Sequence, residues 1–403
     1  MSIVRKIISF ILALLLYQYN TLAQENKVNF QDMWAIALDQ NIQIQNADLL
    51  VEKSKSLKKT AWNFGELSFD FTRGQLNSEL VDNLYTFNQD LGSPFTISTT
   101  KKFYASEQLF FENNANKSTK EIKKQLRGLY YSWLYQQQLV GILDSSISRY
   151  EKSVDFAHLQ YINGETNLLS KALISSELQK LIIRKDLHLV NLNTIQNNIR
   201  ILLNTDSIYI PVENELKKLN VIIPIENNPY LIDSVPEVTA KQLQVDVAKS
   251  YYKLTKSQIS PSLSAGYFNL GIDQVTGYQG WQVGMSFPLW FMPQKARSQA
   301  AYIELSRAEN QYSYEKIKAA REIESLLKKY DQMQKSILHF EEERLDNATL
   351  IDLNANLLYK SGSIGYIEFV ANLSISRQIW EEYYYLINEY NQFIIELYYY
   401  LDY

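Results

Sequence analysis

Two hydrophobic periods organise this chain. From Gln294 to Ser361, 68 residues pass without a glycine or proline. Leu305, Ala308 and Tyr312 open an apolar stripe there. After one missed position it resumes at Ala319, Ile323, Leu326, Tyr330, Met333 and Ile337. Steps of four and three residues are a heptad seam and predict one long helix. At 1.5 Å per residue it would be about 100 Å long. Gly362 and Gly365 end it, and a second run free of Gly and Pro follows from Tyr366 to Tyr403. Gln31–Thr60 is a third helix candidate of 30 residues, beside 38 for Tyr366–Tyr403. Stacked end to end, these two shorter helices match the long one. A plain coiled-coil rod would also carry such stripes, but it leaves the second period unexplained.

That second period is two. Trp281, Val283, Met285 and Phe287 alternate with Gln282, Gly284 and Ser286, and Leu67, Phe69 and Phe71 with Ser68, Asp70 and Thr72. Such strands have one greasy and one wet face. Each strand pair is expected to enclose a polar loop, Asn77–Asn83 and Asp273–Gly280. Aromatic residues rim the pairs: Trp62, Phe64, Tyr85, Phe87 and Phe95, then Tyr267, Tyr278, Trp281, Trp290 and Phe291. A half-buried strand of a soluble sheet shows the same alternation. An apolar outer band with aromatic girdles and a polar lumen is the pattern of a transmembrane barrel. Four strands cannot close a barrel, and open edges are not tolerated in lipid. Two chains would give eight strands with a filled interior; three give twelve and an aqueous bore, which favours a homotrimer.

The chain also matches itself. Tyr161-Ile-Asn-Gly164 and Tyr359-Lys-Ser-Gly362 share a pattern, and the same offset sets Leu202-Leu203-Asn204 against Tyr400-Leu401-Asp402. It also brings Glu66–Leu91 close to Leu263–Leu289. Residues 24–204 and 236–403 are therefore expected to be two copies of a helix, strand pair, long helix, hairpin and helix. The strand pairs fall at 66–91 and 263–289, the second long helix at 294–361, and the hairpins at 161–166 and 360–365. The linker, residues 205–235, holds Pro211, Pro224 and Pro229 and breaks helix.

Composition narrows the setting. Arg5 and Lys6, the apolar run Ile7–Leu16 and Thr21-Leu22-Ala23 read as a secretory signal over residues 1–23. That apolar run is short of the ~20 residues a spanning helix needs. Of 403 residues, 29 are Tyr, 17 Phe and 6 Trp, which fits a large core and a lipid-interface belt. Lys and Arg total 40 against 44 Asp and Glu, a net charge of -4 that gives no reason to invoke nucleic acid. Lys117, Lys120, Lys123, Lys124 and Arg127 read as the solvated face of a helix with Glu121.

Enzymatic chemistry finds no carrier. With no cysteine, a disulfide, a thiolate nucleophile and a Cys-ligated zinc are excluded. His158, His188 and His339 are too scattered for metal-ligand spacing, and Met33, Met285, Met292 and Met333 form no cluster. No nucleophile elbow, P-loop or dinucleotide fingerprint occurs, so no cofactor is expected.

The duplication, the opening Asn29-Phe30 … Ala37-Leu38 … Asn41, the segment Val283-Gly-Met-Ser-Phe-Pro288 … Lys295-Ala-Arg297 and the paired turns Tyr161–Gly164 and Tyr359–Gly362 resemble the TolC family of outer-membrane efflux proteins over essentially the whole mature length. The resemblance implies a mainly α protein with a β-barrel part, in which three protomers build a 12-stranded outer-membrane barrel continuous with a helical periplasmic tunnel. It implies an efflux function with a periplasmic adaptor and an inner-membrane pump as partners. Thr86-Phe-Asn-Gln-Asp-Leu-Gly-Ser-Pro94 is similar to the branch serving heavy-metal pumps of the resistance-nodulation-division class. On this resemblance Phe69, Phe71, Trp281, Val283, Met285 and Phe287 face lipid. Tyr161, Gly164, Tyr359 and Gly362 lie in the hairpins that meet the adaptor. Glu368 stands where the family commonly places a gate aspartate; its first-copy counterpart is Ser170, and the second acidic position is Ala371. An exported coiled-coil bridging protein and a type I secretion duct are the competing readings.

Overall fold

The computed structural model describes residues 26–62, 64–77, 79–164, 166–220, 230–272 and 275–401; the expected signal segment lies outside them. In chain order the elements are β1 (Asn26–Val28), α1 (Phe30–Gln40), α2 (Ile42–Lys59), β2 (Leu67–Gly74), β3 (Asp82–Gly92) and α3 (Pro94–Ile162). There follow α4 (Leu168–Leu203), β4 (Tyr209–Pro211), α5 (Tyr230–Asp233), α6 (Pro236–Ser257), β5 (Ser262–Ile272) and β6 (Val275–Ser286). The chain ends in α7 (Phe291–His339), a π-helical turn (Phe340–Arg344), α8 (Leu345–Lys360) and α9 (Tyr366–Leu401). The protein is thus mainly helical with a minority of strand.

Two compact units share the chain. One takes Met1–Ile44, Thr119–Asn228 and Arg321–Tyr403, the other Gln45–Ser118 and Pro229–Ala320. The core of the first is a heptad interior. Leu143, Tyr150 and Ala157 of α3 meet Ile174 and Leu181 of α4, Ala355 of α8, and Phe369 and Leu373 of α9. Seven-residue steps keep these side chains on one stripe of each helix. In the second unit Val245 and Ala248 of α6 pack on Leu305 and Ala308 of α7, with Tyr252 and Tyr312 packed against them.

Three expectations about helices are corrected. Gln31–Thr60 is not one helix: Asn41 breaks it, with its amide donating to the Leu202 carbonyl (2.7 Å) while its Oδ1 caps the N–H groups of Gln43 and Ile44. The long helix 294–361 starts earlier and is interrupted by the π turn. A strict heptad continued from Met333 and Ile337 would bury residues 347 and 354. The buried residues are Ala348 and Ala355, displaced by the one residue a π turn inserts. The turn is fastened to α9, where Tyr383 donates to Glu341 (3.0 Å) and Arg344 pairs with Glu382 (3.0 Å). The basic run is no solvated face either. Lys123 lies over Trp34, Lys124 over Tyr399 at 4.5 Å, and Arg127 between Phe30 and Tyr398. Within the other unit, Lys117 pairs with Glu237.

The linker has structure that its prolines did not announce. β4 pairs in parallel with β1, and Asn391, fully buried on α9, accepts from the Leu219 N–H and donates to the Lys217 carbonyl, both at 2.8 Å. Leu181→Ala should lower stability by about 2–5 kcal/mol, since it empties a fully buried site in the heptad interior. Thermal unfolding followed by circular dichroism reads the loss, and an unchanged midpoint would mean the interior is not packed as described.

Candidate channel-forming sheet and hairpin turns

Four antiparallel strands form one sheet in the order β2-β3-β5-β6. Directly paired residues of an antiparallel ladder point to the same side. Phe69 faces Phe87, Phe87 faces Tyr267, and Tyr267 faces Trp281. Phe71 faces Tyr85, while Val283 and Met285 face Ala265 and Leu263. All four strands therefore turn their apolar rows to one continuous face. The rings touch along it, with centroids 4.9 Å apart for Phe69–Phe87 and Phe71–Tyr85 and 5.2 Å for Tyr267–Trp281. Among the described residues of the unit nothing covers this face: Trp281 is 82 % and Val283 85 % exposed.

The opposite face carries Ser68, Asp70 and Thr72, then Thr86 and Asn88, Ser264, and Gln282. Leu84, Phe268, Leu270 and Tyr278 are exceptions there, as Asn269 and Gln279 are on the apolar face; the Phe268 ring lies over Gly280, where a Cβ would come within 2.7 Å. The outer edges of β2 and β6 have no partner strand among the described residues.

Two sequence expectations change here. Strand β6 begins at Val275, so 275–280 belongs to the ladder and not to a loop; Leu270 pairs with Tyr278, and the register shifts before Ile272 pairs with Val275. Asp273 and Gln274 lie outside the described residues. Tyr85, Phe87, Tyr267 and Trp281 sit within the apolar face, not at its rim. Trp62, Phe64, Phe95, Trp290 and Phe291 do gather at one end of the sheet, where β2 and β5 begin and β3 and β6 end, all exposed. Phe287 follows β6 at that end. Tyr278 is near the other end, on the polar face.

In the other unit the two hairpin turns have the same backbone logic. Gly164 and Gly362 take φ of 75° and 71°, a region that costs side-chain-bearing residues energy. Gly362 N–H donates to the Tyr359 carbonyl and Ser363 N–H to that of Leu358, a Schellman stop that satisfies the last carbonyls of α8. Gly164 N–H makes the matching bond to Tyr161. Tyr161 is exposed, with Lys171 over its ring. Tyr359 instead stacks on Phe369 at 4.4 Å, and burial pushes its phenol up.

Glu368 is exposed in the first turn of α9, where the helix dipole favours an acid. The N–H and hydroxyl of Ser170 both bond Asn167, the cap of α4. A charge cluster that sequence reasoning missed lies between α4 and α9. The buried Arg377 guanidinium stands 3.8 Å from Glu177 and from Glu381, and Arg184 bonds Glu381 at 2.8 Å. The i,i+4 spacing of Arg377 and Glu381 was its only legible trace. Tyr150, which donates to the Val370 carbonyl, is pushed up to about 12 by burial. Each histidine has a separate neighbour: Lys171 for His158, Gln136 for His188 and Glu343 for His339.

No helix among the described residues is long and apolar enough to cross a membrane, a statement that does not bear on strands. No family model matches the chain, and no curated protein does. Solved structures do. A membrane protein from Pseudomonas aeruginosa matches with a TM-score of 0.79 at 13% identity over 94% of this chain and 91% of that one. CusC, described for transmembrane channel formation, matches at 0.77 and 14% over 94% and 93%. The Campylobacter jejuni CmeC outer membrane channel matches at 0.77 and 12% over 93% and 85%. At such identities the likeness is one of fold: this chain has the fold of TolC-family outer-membrane channels.

Gly362→Ala should cost about 1–2 kcal/mol through its left-handed backbone, whereas Gly365→Ala, with no positive φ and open space around it, should stay within about 0.5 kcal/mol. Equal melting shifts for the two variants would contradict the turn geometry. Burial first, then Arg184, holds the His188 pKa below its ordinary 6.5. A depressed pKa means the unfolded chain binds the proton more readily, so this contribution is present above 6.5 and lost as pH falls through it. Wild type should therefore lose more melting temperature than His188→Gln between about pH 8 and pH 5; parallel losses would refute it.

Proposed function

We propose that this chain is one protomer of a homotrimeric outer-membrane exit channel in a tripartite efflux pump. The observation that carries this reading is the sheet, apolar on one face, polar on the other and unpaired at both edges. Lipid covers such an apolar face at no desolvation cost. Hydrocarbon cannot satisfy the bare backbone groups of β2 and β6, so sister chains must. Three chains give a twelve-stranded barrel whose polar faces line water. Phe69, Phe71, Trp281, Val283, Met285 and Phe287 then face lipid, and the exposed aromatic end supplies one girdle.

The helical part stands in the periplasm in this reading, after removal of residues 1–23. There the turns at Tyr161–Gly164 and Tyr359–Gly362 receive the adaptor, and an inner-membrane pump of the resistance-nodulation-division class supplies the energy. The matching bonds of Gly164 and Gly362 support two copies of one unit, residues 24–204 and 236–403, joined by the linker 205–235. The heavy-metal branch, consistent with the CusC match, makes heavy-metal cations the cargo. Glu368 would form an acidic ring at the closed mouth that favours cations.

Purified in detergent and reconstituted in planar bilayers, the protein should conduct as a trimer; a soluble, non-conducting monomer would end this reading. Val283→Arg should cost about 2–4 kcal/mol of membrane insertion, while Gln282→Arg, on the water side, should insert normally. Equal insertion of both would reverse the assigned faces. Glu368→Gln should lower the cation-to-anion permeability ratio, and an unaltered reversal potential would exclude Glu368 from the gate. Loss of the gene should sensitise cells to metal cations; unchanged tolerance would remove that cargo.

A further inference from the structure

Four helices meet the sheet at the end where its exposed aromatic residues gather. α2 and α6 lead into β2 and β5, and β3 and β6 lead out into α3 and α7. The parts of these helices nearest the sheet carry charge of one sign. Residues 53–59, 94–106, 247–257 and 291–303 together hold eleven lysines and arginines and no aspartate or glutamate. The whole chain holds more acids than bases, 44 against 40. Acids return directly beyond the four segments, at Glu52, Glu107, Asp246 and Glu304.

The eleven cations form one band. α2 supplies Lys53, Lys55, Lys58 and Lys59, and α6 supplies Lys249, Lys253 and Lys256. Running the other way, α3 adds Lys101 and Lys102, and α7 adds Lys295 and Arg297. The Thr99 and Ser257 hydroxyls bond at 2.6 Å, those of Ser106 and Ser250 at 2.7 Å, and Lys58 donates to Gln108 at 3.1 Å. The ends of α2 and α6 therefore lie beside the first turns of α3. Tyr252 and Tyr302, with ring centroids 5.6 Å apart, set α7 beside α6. At 1.5 Å per residue, every one of these charges is within about 12 Å of its helix end. Ten of the eleven are exposed, and among the described residues only Lys55 has an ion pair, with Glu112 at 3.8 Å.

Helix dipoles account for part of the band. Lys58, Lys59 and Lys256 lie in the last turns of α2 and α6, where a cation is favoured. They do not account for α3 and α7, which begin here. A helix start favours acids, yet neither first turn holds one, and cations follow within the next two turns. Cations gathered without counter-charge repel one another, so the band gains when anions are supplied from outside the chain.

Its place in the fold names those anions. Lys101 Nζ stands 5.8 Å from the ring of Trp62, one of the exposed aromatics at the sheet end. Tryptophan and tyrosine belts sit at headgroup depth, and long lysine stems reach toward the same depth. Lipid phosphates lie there, and a Debye length of about 8–10 Å brings the lower lysines within their reach.

We propose that this basic band binds the anionic phospholipid headgroups of the leaflet on the helical side and selects them over zwitterionic ones. The proposal rests on the outer-membrane placement above and adds a lipid preference to it.

Bromine on a lipid chain quenches nearby tryptophan, and Trp62, Trp281 and Trp290 stand at or in the membrane in this reading. The full chain should be inserted in vesicles of equal parts phosphatidylglycerol and phosphatidylcholine, with one lipid or the other brominated. Brominated phosphatidylglycerol should quench more, corresponding to a local enrichment of about threefold or more. In about 1 M salt, where the Debye length falls to about 3 Å, the difference should vanish. Replacing Lys101, Lys102, Lys295 and Arg297 together by Gln should abolish the preference, and Lys→Arg at the three lysines should keep it. Equal quenching by both lipids in inserted wild type would overturn the proposal, whatever the variants do, and leave the channel reading standing. A preference that inorganic phosphate removes at constant ionic strength would assign the band to free phosphate and overturn the lipid. A preference that survives the Gln replacements would overturn the assignment to these residues. A protein that inserts in neither vesicle would overturn the channel reading as well.

Discussion

A strand edge presents N–H and C=O groups that must find partners, and this sheet has two such edges. In water the cost is small, because solvent makes the bonds. Beside the continuous apolar face of Phe69, Phe87, Tyr267 and Trp281, water is what the face itself excludes. In the proposed assembly further strands supply the edges and lipid covers the face, which is what makes an apolar face and bare edges compatible. The exposed Trp281 and Val283 are thus the side chains on which that proposal leans most.

The helical core solves a different problem, the alignment of very long helices. A 69-residue helix such as α3 is held in register by repetition, through Leu143, Tyr150 and Ala157 at seven-residue steps. Repetition alone would allow slippage by a heptad. Singular contacts remove that freedom: the Asn391 clamp on the linker, the Asn41 bridge to the end of α4, and the Arg377–Glu177–Glu381 cluster between α4 and α9. Buried polar groups of this kind add little net stability but penalise every register in which they go unpaired.

The tyrosine-rich composition follows from the same architecture. Narrow helical layers cannot bury charged side chains outright, so Lys123, Lys124 and Arg127 lay their stems along rings and keep cationic heads near the surface. Tyr150 and Tyr390 fill the interior while placing their hydroxyls at its margin, where that of Tyr150 donates to the Val370 carbonyl and that of Tyr390 accepts from the Gln334 amide.

Local period was enough to reveal the helices, the two strand pairs, the outward rows Phe69–Phe71 and Trp281–Met285, and the turn glycines Gly164 and Gly362, because each of these depends on residues a few positions apart. What tertiary structure alone decided depends on distant residues meeting. The break at Asn41 needs Leu202, and the π turn at Phe340–Arg344 needs Tyr383 and Glu382 on α9. Strand β4 needs β1, and the assembly of four alternating segments into one apolar surface needs the order β2-β3-β5-β6. Periodicity states which face of an element avoids water; only the packed chain determines what that face meets.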